Sequence, residues 1–147
     1  MECFAASIGT LTCVNIRMEY ERDWPTVRDL HFAAFGDHGK VVADLVDELR
    51  DLVATGEGLS LVAEDRDAVV GHTVFTRSWL DATRRLVPVQ VLSPVGVLPA
   101  SQHQGIGTTM IRRGLELLTE RDVPVVFVAG PPKYYPRFGF RAGAVRP

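Results

Sequence analysis

The segment Val91-Leu-Ser-Pro-Val-Gly-Val-Leu-Pro-Ala-Ser-Gln102-His103-Gln104-Gly105-Ile106-Gly107-Thr108 constrains this chain more than any other. It reads as an apolar strand that passes through a short polar turn and a glycine-containing loop straight into an amphipathic helix. In that helix Ile106, Met110, Ile111, Leu115 and Leu118 recur on one face, while Arg112, Arg113, Glu116 and Glu120 occupy the other, as in a surface helix laid over a sheet. A strand-to-helix junction of this kind aims unpaired backbone N–H groups, and the positive end of the helix dipole, at whatever stands in front of it. A phosphate-bearing ligand is the expected occupant.

The remaining segments assemble around that junction. Ile16–Tyr20 alternates as a strand, and Asp23 precedes Trp24-Pro25, with the proline suited to a first helical turn. A helix is predicted from about Trp24 to Phe35, packing Trp24, Val27, Leu30, Ala34 and Phe35 inward. After the break at Gly36-Asp37-His38-Gly39, a second helix places Val41, Val42, Leu45, Val46, Leu49, Leu52 and Val53 on one face, and Gly56 and Gly58 stop it. Leu59–Glu64 and Ala68–Thr76 flank the turn Asp65-Arg66-Asp67 as an antiparallel hairpin, and Leu86–Leu98 forms a longer strand beyond a Leu80–Arg85 loop. Pro124–Ala129 is a continuously apolar run of the kind found in buried central strands, and Tyr134–Phe138 forms a brief helix closed by Gly139. The order is strand, two helices, three strands, helix, strand, short helix. It describes a mixed α/β single domain without repeats or linkers.

With 147 residues and 46% hydrophobic content, the chain can bury one sizeable core, and two independent domains would each be too small. A formal net charge of -2 removes the broad electrostatic attraction that nucleic acids and anionic membrane surfaces require, so neither is an expected partner. Cys3 and Cys13 are the only cysteines, and no His/Cys cluster near either has ligand spacing. They read as reduced thiols, with no disulfide framework and no metal site. No basic segment precedes a sustained apolar run at the start, and no later run reaches membrane-spanning length, which leads to the expectation of a soluble, cytoplasmic protein.

Glycines at a strand-to-helix junction also serve tight turning and close packing, so the pattern by itself leaves a structural reading open. Two better-known phosphate loops can be set aside on what they require. A P-loop needs a lysine followed by Ser or Thr after its last glycine, whereas Gly107 is followed by Thr108-Thr109. A dinucleotide fingerprint needs a third glycine and an acidic residue closing the next strand, but Met110 and Ala129 stand at those places. ATP or GTP hydrolysis and NAD binding are therefore disfavoured.

Gln102-His103-Gln104-Gly105-Ile106-Gly107 resembles the signature Gln/Arg-x-x-Gly-x-Gly/Ala of the GNAT superfamily of N-acetyltransferases, and the preceding Val95-Gly96-Val97-Leu98-Pro99 is similar to that family's strand. Tyr135-Pro136-Arg137-Phe138-Gly139-Phe140 is similar to its Tyr-x-x-x-Gly-Phe near the C-terminus, and Ile16-Arg17 followed by Asp23, Val27 and Leu30 to its opening strand and helix. The resemblance spans about Asn15 to Phe140, and it implies a GNAT domain over 15–147 behind an N-terminal extension of residues 1–14. It also implies a twisted mixed sheet flanked by helices.

By the same resemblance, the co-substrate is acetyl-CoA. Gln102, His103, Gln104, Gly105, Ile106, Gly107 and Thr108 would cradle its pyrophosphate, and the main chain of Val95, Gly96 and Val97 would take the pantetheine arm as an added strand where two strands splay. Main-chain N–H near Val95–Val97 would hold the oxyanion, and Tyr135 would act as general acid to the leaving thiolate. No acidic residue lies on Leu86–Leu98 to act as base, which leaves Glu19, Glu64, His72 or water-mediated deprotonation. His31, His38 and His103 read as isolated histidines without catalytic duty.

The family commonly continues past Gly-Phe with another strand, but this chain ends at Pro147, so the final strand is expected to be short or missing. Either the domain tolerates the open edge, or Met1–Val14 or a second copy in a homodimer covers it. The expected acceptor is a primary amine of a small molecule or a protein. The competing reading is a non-catalytic acetyl-CoA sensor or a degenerate acetyltransferase.

Overall fold

A six-stranded sheet carries the fold, and its centre is built where apolar residues alternate along residues 59–97. The computed structural model describes residues 2–6, 10–130 and 133–141, with side chains from Val14 onward. Its elements are β1 (Glu2–Ala6), β2 (Thr10–Met18), α1 (Trp24–Phe35), α2 (Gly39–Leu52), β3 (Leu59–Asp65), β4 (Ala68–Ala82), β5 (Arg85–Val97), α3 (Ile106–Glu120) and β6 (Val126–Val128). The strands lie in the order β1-β2-β3-β4-β5-β6. All neighbours are antiparallel except β5 and β6, which are parallel because α3 carries the chain back between them. The expected mixed α/β architecture is the one observed.

Local chemistry accounts for the turns. Arg66 and Asp67 both take positive φ, at 50° and 64°, the pair of left-handed residues that a two-residue hairpin turn needs to match strand twist. β4 and β5 run further than the sequence pattern indicates, so the expected Leu80–Arg85 loop reduces to Thr83-Arg84. Polar residues at the far end of that hairpin hide the pairing from a hydrophobicity pattern.

The two faces of the sheet bury different sets of residues. Leu59, Leu61, Phe75 and Leu92 pack with Ile111 and Leu118 of α3, while Val62 packs with Val27 of α1 and Val46 of α2. Helix faces therefore differ in detail from the expected stripes. Trp24, Val41, Leu45 and Leu52 are exposed, because the buried face of α2 is centred on Gly39, Ala43 and Val46 against α1. Trp24 instead receives the Arg50 guanidinium over its ring at 5.0 Å. Gly114 interrupts α3 for a packing reason, since a Cβ there would lie 2.2 Å from the buried Phe75 ring.

Two edge expectations change. Among the described residues Val126–Val128 pairs only with β5 and is half-buried, so it closes their sheet order where a buried central strand was expected. The N-terminal segment does not cover that end, because β1 pairs with β2 at the opposite side of the sheet. That pairing also sets Cys3 opposite Cys13 in register. The expected short or missing last strand falls on residues 142–147, outside the described residues.

A buried polar chain threads the face covered by α1 and α2. Arg50 of α2 donates to Glu19 Oε1 at 2.7 Å, and Ser60 Oγ donates to Glu19 Oε2 at 2.5 Å. Ser60 Oγ lies 2.8 Å from His72 Nε2, and His72 Nδ1 lies 2.8 Å from His31 Nε2. Burial would raise the Glu19 carboxyl, but the His72 ring 3.5 Å away and hydrogen bonds from Arg50 and Ser60 prevail and hold it down to about 2. An ionised Glu19 must take the Ser60 proton, so Ser60 accepts from His72 Nε2–H. The polarity of that stretch follows from one carboxylate. His31 Nδ1 is buried without a partner against Gly96, where a Cβ would stand 2.8 Å away. His31, which reads as an isolated histidine in the sequence, is thus part of the core.

Two measurements test this packing. Gly114→Ala should destabilise the protein by about 1–2 kcal/mol in urea unfolding, because overpacking against Phe75 outweighs the roughly 1 kcal/mol gain in helix propensity. The second concerns pH. Burial, with His72 and Arg50 facing it and only partly offset by Glu19, holds the His31 imidazole down to about 3, against 6.5 in an unfolded chain. Between those values the unfolded chain binds a proton that the folded protein refuses, so stability at His31 is complete above pH 6.5 and declines as pH falls toward 3. From pH 7.5 to 5.5 the wild type should lose about 1.4 kcal/mol more than His31→Gln, which keeps a donor to His72 but cannot titrate.

Candidate active site

The site begins where two strands part. β6 pairs with β5 only along Gln90, Val91 and Leu92. Directly after Leu92 the register between β4 and β5 shifts, with Phe75 opposite Leu92 but Thr73 opposite Val95, so Ser93-Pro94 adds one residue to β5. A bulge of this kind bends its strand and breaks the ladder. Leu98 N–H donates to Val70 O, and alternation along an antiparallel ladder then turns the N–H groups of Val95 and Val97 away from β4, toward the side β6 has left.

A cavity of about 500 Å³ opens at that place. Val95, Val97, Ser101, Gln102, His103, Gly105, Ile106, Gly107, Thr108, Tyr134, Tyr135 and Arg137 line it. Most of the residues expected from the sequence are brought together here. Gly96 and Gln104 are not in the lining, and Gly96 turns toward His31. Its missing side chain makes room for the imidazole.

The glycine loop ends in a bare helix terminus. Gly105 is the N-cap of α3 with φ 82°, and no side chain caps the helix. The first intrahelical bond is Thr109 N–H to Gly105 O at 3.0 Å, so the N–H groups of Ile106, Gly107 and Thr108 have no acceptor within the helix. The first turn also holds no carboxylate. Three unpaired donors and the positive end of a 15-residue helix therefore face the cavity, an arrangement suited to a phosphate. The two glycines do different work. Gly105 supplies the left-handed backbone and has open space where a Cβ would stand, whereas a Cβ at Gly107 would project among Tyr134, Val97 and Val95. Gln102 donates its amide to Val97 O at 3.0 Å, so it ties the loop to β5.

The two neighbouring tyrosines are not equivalent. Tyr134 Oη lies 3.4 Å from Thr108 Oγ1, on the first turn of α3. Tyr135 is half-buried between this cavity and a second, more apolar one of about 650 Å³ that includes Leu118, Val126 and Phe140. Burial, with a smaller contribution from Tyr134, raises the Tyr135 phenol above its ordinary value and keeps it protonated at neutral pH. It can give a proton to a thiolate, whose reference pKa is about 8.5 in cysteine.

Each base suggested by the sequence is already engaged. Glu64 Oε1 accepts from Arg17 at 2.6 Å, and that hydrogen bond holds its carboxyl below the ordinary range. Glu19 is ionised against Arg50, and His72 spends both ring nitrogens on Ser60 and His31. None of the three lines the cavity. Among the described residues, no group of three or more His, Cys, Asp or Glu is placed to hold a metal ion, and no helix is long and apolar enough to cross a membrane.

The fold has relatives among known proteins. The N-acetyltransferase YjhQ of Escherichia coli (strain K12), itself uncharacterized, is 36% identical over 118 residues, covering 80% of this chain; the match spans 64% of the relative, less than two thirds of its length. A GNAT family acetyltransferase from Brucella melitensis, solved in complex with acetyl-CoA, matches with a TM-score of 0.78 at 36% identity, covering 89% of this chain and 84% of its own. The GNAT family N-acetyltransferase YhbS of Escherichia coli, solved with CoA, matches with a TM-score of 0.76 at 28% identity, covering 92% of this chain and 73% of its own. The acetyltransferase (GNAT) domain profile matches residues 15–143, and the chain belongs to that family.

Proposed function

We propose that the protein moves the acetyl group of acetyl-CoA to a primary amine of a small molecule or a protein. The observation that carries this reading is the meeting, in one cavity, of the uncapped α3 terminus, the unpaired edge of β5 and the protonated Tyr135. The terminus suits the pyrophosphate. The edge offers Val95 and Val97 main-chain groups to the amides of the pantetheine arm, which would extend the sheet as a short strand. That the Brucella melitensis relative was solved in complex with acetyl-CoA supports the same donor.

The chemistry then runs as direct attack. The neutral amine adds to the thioester carbonyl, a C–N bond forms, and the charge that develops on oxygen meets a fixed N–H of the Val95–Val97 edge. Collapse breaks the C–S bond, and Tyr135 supplies the proton that the departing thiolate takes. The amine's own proton leaves through water, which returns one to the Tyr135 phenolate; Glu19, facing His72 and Arg50, and Glu64, paired with Arg17, are held as weak bases. Residues 15–147 would form the acetyltransferase domain behind the N-terminal segment 1–14, free in the cytoplasm or as a homodimer, without nucleic acid, membrane or metal.

A second reading, a non-catalytic acetyl-CoA sensor, draws on one observation: no carboxylate lines the cavity. Both readings require donor binding, and only the first requires turnover. Acetyl-CoA and CoA should raise the melting temperature by several degrees at 100 times their Kd, a stabilisation of about 2.7 kcal/mol, while NAD and ATP leave it unchanged. Thiol release from acetyl-CoA across an amine library separates enzyme from sensor. Tyr135→Phe should then lower kcat by about 10- to 100-fold with acetyl-CoA affinity unchanged, and equal turnover in the two proteins would remove Tyr135 from its role.

A further inference from the structure

We propose that Arg137 is the phosphate clamp of the donor cavity, a specificity residue that selects phosphorylated donors; the inference rests on the acetyl-CoA reading above. Among the twelve lining residues there is one Lys or Arg, Arg137, and no Asp or Glu. In a chain with a net charge of -2, a cavity without acids and with one guanidinium is the place where an anion meets attraction.

The guanidinium is held in position and its outer nitrogens are left over. Arg137 Nε donates to Tyr134 O at 2.9 Å, and the guanidinium lies over the Tyr134 ring at 4.4 Å from its centroid. Tyr134 in turn reaches the first turn of α3 through Thr108. Arg137 thus lines the same cavity as the three bare N–H groups of the helix terminus. Its Nη1 and Nη2 meet no carboxylate among the described residues, whereas Arg17, Arg28 and Arg50 are each engaged by acids. A short 3-10 turn, Tyr135–Phe138, closed by Gly139 with φ 88°, fixes the backbone that presents it. The free Nη1/Nη2 edge of the planar fork matches two phosphate oxygens, and its ordering on the tyrosine ring lowers the entropy lost on binding. CoA offers such oxygens at its pyrophosphate and at its ribose phosphate.

The experiment is calorimetric titration of wild type, Arg137→Gln and Arg137→Lys with CoA, dephospho-CoA and pantetheine, which needs no acceptor amine. Arg137→Gln should weaken CoA about tenfold, Arg137→Lys less, and pantetheine affinity should stay the same in all three proteins. CoA affinity of the wild type should fall more steeply between about 50 and 300 mM salt than that of Arg137→Gln. A penalty that persists with dephospho-CoA assigns the clamp to the pyrophosphate, and one that disappears assigns it to the ribose phosphate; both sustain it. Unchanged CoA binding by Arg137→Gln overturns the clamp. So does an equal loss for pantetheine, which would mean that Arg137 serves only to hold Tyr134. A wild type that binds pantetheine but neither phosphorylated ligand rejects the clamp alone, while one that binds none of the three rejects the donor reading and the clamp with it.

Discussion

The site depends on the interruption of one strand pairing. β5 and β6 share three residue pairs, and the pairing stops at the residue where Ser93-Pro94 inserts an extra position into β5. Proline contributes no N–H to a ladder, so this stretch is poorly suited to continue pairing on either side. Thr73 Oγ1 donates to Pro94 O at 2.9 Å, which holds the bulge to β4 while β6 is released. What results is a strand edge inside the protein whose donors at Val95 and Val97 have no neighbour in the sheet among the described residues. The parallel geometry contributes too. The long crossover through α3 delivers its own N-terminus to the mouth of the gap, so phosphate donors and amide donors arrive together.

Behind that edge stands the buried chain from Arg50 to His31, and energy decides its role. Moving a proton onto either end of it means neutralising Glu19, held at about 2, or charging His31, held at about 3, each several pH units below neutrality. At about 1.4 kcal/mol per unit, a transfer to either group costs more than release to water near pH 7, so these two residues serve the packing of the sheet. The unpartnered His31 Nδ1 is a desolvation cost that the core carries to keep an imidazole, and not an alkyl group, under Gly96. The chain joins α1, α2, β3 and β4, and it does so on the face opposite α3. Helix α3 is therefore left to serve the ligand.

Much of this is legible in the sequence where periodicity is long. The bounds of α1 agree with the pattern, and the glycine loop and its helix stand where the spacing puts them. The departures share a physical cause, which is that a residue's type does not fix its environment. Trp24 and Val41 are apolar yet exposed, because a helix lying between a sheet and solvent buries a narrower stripe than its composition allows. His31 and Ser60 are polar yet buried, and no local pattern marks residues whose partners lie 41 and 12 positions away. The apolar Val126–Val128 run resembles a central strand in composition alone. Gly96 and Gln104 follow the motif in sequence, but the sheet alternation and the loop path take them out of the cavity. Arg137 has no signal of its own in the sequence, since a lone arginine beside two tyrosines carries no pattern until the fold brings it to the loop.

Net charge and local charge argue in opposite directions here, and the local arrangement decides. A protein carrying -2 repels a polyphosphate weakly at long range, and at physiological salt that repulsion fades within about 8 Å. Inside that distance a ligand meets the helix terminus, equivalent to about half a positive charge, and a guanidinium with no competing carboxylate in the lining. The acids that pair with arginines lie elsewhere: Asp23 and Glu64 on Arg17, Asp44 and Asp47 on Arg28, Glu19 on Arg50. Pairing them away from the cavity leaves its field positive without making the protein basic. The same separation accounts for a lining that holds a guanidinium and no fixed negative charge.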